Sequence, residues 1–233
     1  MKLVIYDCEI INCIPSNNLD TDKYYACEGW HDFQNMGISV IGFAHNFDLF
    51  DNQKINFFNV LSVDFILDKI CKNYKNPKLN FESFILIYYR LKYFLDLIDK
   101  SDYFIGFNNH SFHDNLISSN HINLPTEKSI DLLTDIREAS GQPRSYTPGI
   151  TPGGYSLDAI AKANLNYGKS GSGALAPQLW QDGKYDDVIS YCKDDINLTI
   201  QIAKLFYSDQ LIDPTNGEVL ICPESSPLKG YIF

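Results

Sequence analysis

Two carboxylates set two residues apart close the apolar run Lys2-Leu3-Val4-Ile5-Tyr6-Asp7-Cys8-Glu9. A run of β-formers predicts a buried strand. Residues two apart on a strand project to one face, so Asp7 and Glu9 point the same way. Adjacent anions raise each other's pKa unless a positive group lies between them. A hard divalent cation, which takes oxygen ligands, supplies such a charge. An isolated Asp-x-Glu is more often a polar strand end entering a turn, so its meaning depends on the rest of the chain. Near the other end, Val188-Ile189-Ser190-Tyr191-Cys192-Lys193-Asp194-Asp195-Ile196 places Tyr191 and Asp195 four apart, on one face of a helix. Leu198 and Ile202 continue the apolar stripe beneath Asp195, which therefore borders the core, while Asp194 turns toward solvent. Taken alone, this spacing also fits a surface charge and a packing tyrosine.

The elements that must carry these residues follow from hydrophobic period. After the first strand, the polar stretch from about Asn12 to Asn35 is expected to be an irregular insertion. Strands are expected over Gly37–Ala44 and Lys54–Val60, forming an antiparallel meander with the first. Helices are expected over Leu61–Tyr74 and Phe81–Ile98, the latter with Phe84, Ile87, Leu91, Phe94, Leu95 and Ile98 inward. A short strand over Tyr103–Asn108 precedes a helix over Phe112–Asn120, and Asp131–Ser140 reads as a further helix ending at Gly141. The stretch Gln142–Tyr155 holds three Pro and three Gly and reads as a loop. Ser156 is an N-cap for a helix over Leu157–Asn164. Gly168-Lys169-Ser170-Gly171-Ser172-Gly173 is a flexible loop that lacks the phosphate-binding G-x-x-x-x-G-K-[ST] pattern. The last long helix spans Asp186–Tyr207, and the turn Pro214–Gly217 leaves a short hairpin or tail. This order implies an α/β fold, a mixed sheet with helices on its faces.

Asp-x-Glu on the first strand, Gly106-Phe107-Asn108-x-x-x-Phe112 in the middle and Tyr191-Cys192-x-x-Asp195 in a late helix occur in the order of three exonuclease motifs. Over about Lys2 to Lys204 the chain resembles the DEDDy class of 3′-5′ exonucleases, whose relatives include the proofreading domains of family A and family B DNA polymerases. The tract from Ser156 to Trp180 is similar to the approach to the third motif in phage-type and family B-like members. The resemblance implies an RNase H-like mixed β-sheet of about five strands, the first strand central, with helices on both faces. It implies phosphodiester hydrolysis assisted by two divalent ions, Mg²⁺ or Mn²⁺. On that pattern Asp7, Glu9 and Asp195 hold the ions, and Tyr191 orients the attacking water. The second motif departs from the family, where Asn-x-x-x-Phe-Asp is usual. Counted from Asn108, His113 stands at the Asp position and Asp114 one residue later, a rotation of about 100° on a helix. Asp114 is the expected ligand, since a carboxylate suits a hard cation better than imidazole does; His113 is the alternative. Asn108, Phe112, His113 and Lys169 are the candidates for holding substrate, with Phe107, Trp30 and Lys193 as further stacking or cationic groups.

The chain has 233 residues, enough for one domain with a substantial core, here 1–233 with 12–35 inserted and 209–233 as a C-terminal extension. A formal net charge of -10 argues against a protein that coats duplex DNA by phosphate neutralisation. It permits an enzyme that binds a short end, where bound cations supply charge locally. The six cysteines form no Cys-x-x-Cys pair and no zinc-spaced cluster. With no signal-peptide pattern and no membrane-length apolar run, a cytoplasmic protein with free thiols is expected. The function expected is a 3′-5′ exonuclease on single-stranded DNA or RNA 3′ ends, with a possible separate polymerase or replication partner. A weakened or inactive nucleic-acid-binding module and an RNase H-type endonuclease are the alternatives.

Overall fold

The computed structural model describes residues 1–46, 59–62, 81–147 and 151–231. The first strand, β1 (Leu3–Ile10), alternates its side chains between two apolar layers. Leu3 and Ile5 join one core cluster, while Val4, Tyr6, Cys8 and Ile10 join the other. Its backbone N–H and C=O groups are paired along both edges. On one side β2 (Ile38–His45) pairs antiparallel with β1, and β3 (Asn59–Ser62) pairs antiparallel with β2. On the other side β4 (Tyr103–Gly106) and β5 (Ser129–Asp131) continue the sheet in parallel. The sheet has five strands in the order β3-β2-β1-β4-β5, so β1 is central, as expected.

Helices cover both faces. Against Val4, Tyr6 and Cys8 lie α1 (Phe33–Met36), α2 (Phe81–Lys100) and α3 (Asp114–Ser119), through Met36, Phe94, Leu97, Ile98, Leu116 and Ile117. Against Leu3 and Ile5 lie α4 (Leu132–Ala139), α5 (Leu157–Leu165), α6 (Ala176–Gln181) and α7 (Tyr185–Tyr207). Helix α7 carries no Gly or Pro, begins with Asp186 and Asp187 and ends near Lys204, charges that complement the helix dipole. Ser156 caps α5, its hydroxyl accepting from the Ala159 N–H at 3.2 Å. A small antiparallel hairpin, β6 (Leu211–Ile212) with β7 (Val219–Leu220), follows α7.

Several boundaries differ from expectation. Leu61 belongs to β3, so no helix begins there, and residues 63–74 of the expected helix lie outside the described ones. The expected strand over Lys54–Val60 overlaps β3 only at Asn59 and Val60, its other residues again lying outside. Strand β5 and helix α6 were not expected: three residues are too few for a period-2 signal, and the six residues of α6, following a Gly/Ser-rich loop, are too few for a helical period. Among the described residues, no helix is long and apolar enough to cross a membrane.

Candidate active site

Asp7 and Glu9 lie on the β1 face that receives α7. Asp7 pairs with Gly42 of β2, and Gly42 is the reason α7 can approach so closely. A Cβ there would stand 2.5 Å from Ile196 Cδ1 and 2.6 Å from Cys192 Sγ. Asp7, Glu9 and Cys192 present donor atoms all within 4.8 Å of one another. One turn along α7, Tyr191 and Asp195 complete the group, Asp195 at 4% exposure. Strand pleat and helical turn thus bring together four expected site residues, Asp7, Glu9, Tyr191 and Asp195.

Burial sets the electrostatics. Loss of solvent pushes the carboxyls of Asp7 and Asp195 up to about 6. It holds Glu9 well above the usual carboxylate range, with the charges of Asp7 and Asp195 adding to the effect. Asp7 Oδ2 and Asp195 Oδ1 are buried oxygens without a hydrogen-bond partner. Such atoms are costly unless they meet a positive partner. Asp7 and Glu9, whose donor atoms lie close together, and Asp195, which feels the charge of Asp7 and acts on Glu9, each suit a divalent cation, so these are the residues that could hold one. The thiol of Cys192 lies fully buried beneath them, 3.9 Å from the main-chain oxygen of Asp7, and burial raises its pKa.

One cation does reach the cluster. Lys169 Nζ stands 2.5 Å from Asp195 Oδ2 and donates to the Tyr191 hydroxyl at 2.8 Å. Its loop is pinned at two points. The Lys169 N–H donates to Asp158 Oδ1 at 3.0 Å, and Ser170 Oγ donates to Asp194 Oδ2 at 2.6 Å. Gly171 and Gly173 let the loop lie over the Tyr191 ring and hydroxyl. Lys169, read from sequence as a substrate group, is therefore also the positive charge beside Asp195. Asp194, expected to be solvated, anchors the loop. Burial and neighbouring carboxylates raise the Tyr191 pKa, so its phenol stays protonated.

The second motif is arranged differently from the expectation. Residues Asn109–His113 form a single π-helical turn ahead of α3, a local widening that accommodates one extra residue. His113 Nε2 then lies 3.3 Å from Asp7 Oδ1, whereas Asp114 faces elsewhere. The Asp114 carboxylate accepts hydrogen bonds from the Tyr6 hydroxyl and, at 2.7 Å, from Ser129 Oγ. Tyr6 projects to the opposite face of β1 from Asp7, which separates Asp114 from the carboxylate cluster. Burial pushes the His113 imidazole down to about 4, so it is neutral at physiological pH.

The turn itself is held by Asp131, a residue not singled out from sequence. Its carboxylate accepts from the N–H groups of Asn108 (2.9 Å) and His110 (3.1 Å) while capping α4 through Leu133 (3.0 Å). An Asp just before an apolar helical run was the available signal. Asn108 sits in the left-handed region at φ 68°, half-buried, and Gly106 leaves room for the Asn109 side chain to fold back over it. Phe112 is half-buried against Phe33, His113 and Trp30, and Trp30 is 65% exposed. Phe107 packs against the core.

No family model and no curated relative matches the sequence. Among solved structures, the chain is similar to the family B DNA polymerase from the hyperthermophilic archaeon Pyrobaculum calidifontis, with a TM-score of 0.50 at 12% identity. The match covers 93% of this chain and 26% of that one, so the chain spans about a quarter of the polymerase's length. Its α/β fold is similar to that of part of a DNA polymerase.

Proposed function

We propose that this chain is a metal-dependent 3′-5′ exonuclease of the DEDDy class, a single domain hydrolysing phosphodiester bonds at single-stranded nucleic-acid ends, DNA foremost. The observation that carries the reading is the meeting of Asp7 and Glu9 from the central strand with Tyr191 and Asp195 from α7, with Asp7 Oδ2 and Asp195 Oδ1 buried and unpartnered. The likeness to a DNA polymerase fold supports a nucleic-acid substrate. Asp7, Glu9 and Asp195 would hold two divalent ions, Mg²⁺ or Mn²⁺, which supply Lewis acidity and neutralise phosphate charge. Tyr191 is too weak an acid to serve as a base; it orients the attacking water by hydrogen bonding. Lys169 fixes that hydroxyl by donating to it and offers its charge to the phosphate. Trp30 and Phe112, the latter against His113, offer faces on which an unpaired base can stack, with Asn108 the candidate to hold the sugar or phosphate. A separate polymerase is the expected partner for proofreading.

The test is cleavage of end-labelled and circular single strands with Mn²⁺ or Mg²⁺. Stepwise shortening from the 3′ end is expected. Cut circles would instead assign an RNase H-type endonuclease, and binding without cleavage an inactive module.

A further inference from the structure

We infer that the second ion of the site is ligated by the His113 imidazole together with Asp7, in place of a fourth carboxylate, and that the site consequently selects Mn²⁺ over Mg²⁺. The inference rests on the metal-binding part of the function proposed above. Its ground is positional. Asp114 is already engaged by Tyr6 and Ser129, on the far side of β1 from Asp7. The residue brought to Asp7 by the π-helical turn is His113.

The spacing is one that two ligands of a single ion can take. Two donors each about 2.1 Å from one ion are about 3.0 Å apart in cis-octahedral geometry and about 3.4 Å apart in tetrahedral geometry. His113 Nε2 and Asp7 Oδ1 stand at 3.3 Å, within that interval. Two observations point to a ligand: Asp7 Oδ2 and Asp195 Oδ1 are buried and unpartnered, the latter on a residue 4% exposed. The imidazole and Asp7 side chains are 10% and 13% exposed, so the pair is enclosed yet reachable by a small ion.

The selectivity follows from ligand chemistry. Mg²⁺ holds almost entirely to oxygen, whereas Mn²⁺ and the later divalent ions accept imidazole nitrogen readily. Replacing one carboxylate by imidazole also removes a negative charge from the site, which weakens the hold on Mg²⁺ most. Asp131, accepting from the N–H groups of Asn108 and His110, holds the backbone of the turn that carries His113.

Pulsed electron paramagnetic resonance on the Mn²⁺-loaded full chain tests this directly. Expected are ¹⁴N couplings from a directly bound nitrogen, replaced by ¹⁵N couplings when the protein carries ¹⁵N-histidine and lost in His113→Asp. Competition titrations should show the Mn²⁺-over-Mg²⁺ preference of the wild type falling at least tenfold in His113→Asp. Should that variant fail to fold, the isotope experiment on the wild type decides alone. Mn²⁺ bound without nitrogen coupling would overturn the inference, as would failure to bind Mn²⁺ at all. Nitrogen coupling with no nucleolytic activity would uphold it while the exonuclease reading fails, and 3′-5′ cleavage without nitrogen coupling would do the reverse.

Discussion

At the scale of single residues, the site gathers more negative charge than the cation reaching it, Lys169, offsets. Removing Asp7 or Asp195 relieves repulsion in the metal-free protein, so Asp7→Ala and Asp195→Ala should abolish metal-dependent hydrolysis and leave the circular dichroism spectrum unchanged. Either variant cleaving at the wild-type rate would defeat the assignment. Asp195→Asn should also unfold at higher urea than the wild type at about pH 7.5 without metal, by on the order of 1–3 kcal/mol, since the Asp195 carboxyl is raised to about 6. Tyr191→Phe keeps the ring and loses the hydroxyl that receives the Lys169 hydrogen bond. It should lower the cleavage rate about tenfold to a hundredfold with metal affinity unchanged. Asp114→Ala should act through stability: it strands the buried Tyr6 hydroxyl, at a cost of about 1–3 kcal/mol readable by urea unfolding.

At the scale of elements, the distance between β1 and α7 decides whether carboxylates from two parts of the chain can share an ion. Gly42 sets that distance. Gly42→Ala would drive a methyl group into Cys192 and Ile196, so α7 must shift or tilt. Overpacking of this kind costs about 1–3 kcal/mol. It should also weaken Mn²⁺ binding measured by calorimetry, because Asp195 moves with the helix and Asp7 does not. Unchanged metal affinity would show that α7 has slack. The second device is the turn between β4 and α3, where one carboxylate, Asp131, serves both the turn and the α4 cap.

At the scale of the whole molecule, charge shapes both stability and binding. The raised carboxyls of Asp7 and Asp195 keep their protons in the folded state at pH values where the unfolded chain has lost them, so stability falls as pH rises from about 4 through about 6, and Glu9, also raised, acts in the same direction. His113 works the other way: held at about 4, it refuses a proton the unfolded chain accepts, and stability rises with pH toward about 6.5. Three groups outweigh one, so the Tm in chelator should fall between about pH 5 and pH 7.5, and Mn²⁺ should raise it more at the higher value. A Tm rising with pH would contradict the balance. A net charge of -10 also removes long-range attraction for a polyanion. Oligonucleotide affinity should therefore depend strongly on divalent ions and only shallowly on monovalent salt, as a filter-binding series would show.

Much of this was legible in the sequence because it is local and periodic. Alternation along Leu3–Glu9 fixes Asp7 and Glu9 on one face of a strand with both sides buried. The 3.6-residue period of α7 fixes Tyr191 and Asp195 on one stripe. Neither property needs a distant partner. Tertiary structure alone decided what hangs on such partners. A π-helical turn and a hydrogen bond from Tyr6, 108 residues away, settle that His113 rather than Asp114 meets Asp7. A loop anchored on α5 and α7 carries Lys169 to Asp195. Strand β5 exists only because β4 offers it an edge. Periodicity records which face a residue occupies, but not which distant group will face it, since that is set by packing between elements far apart in the chain.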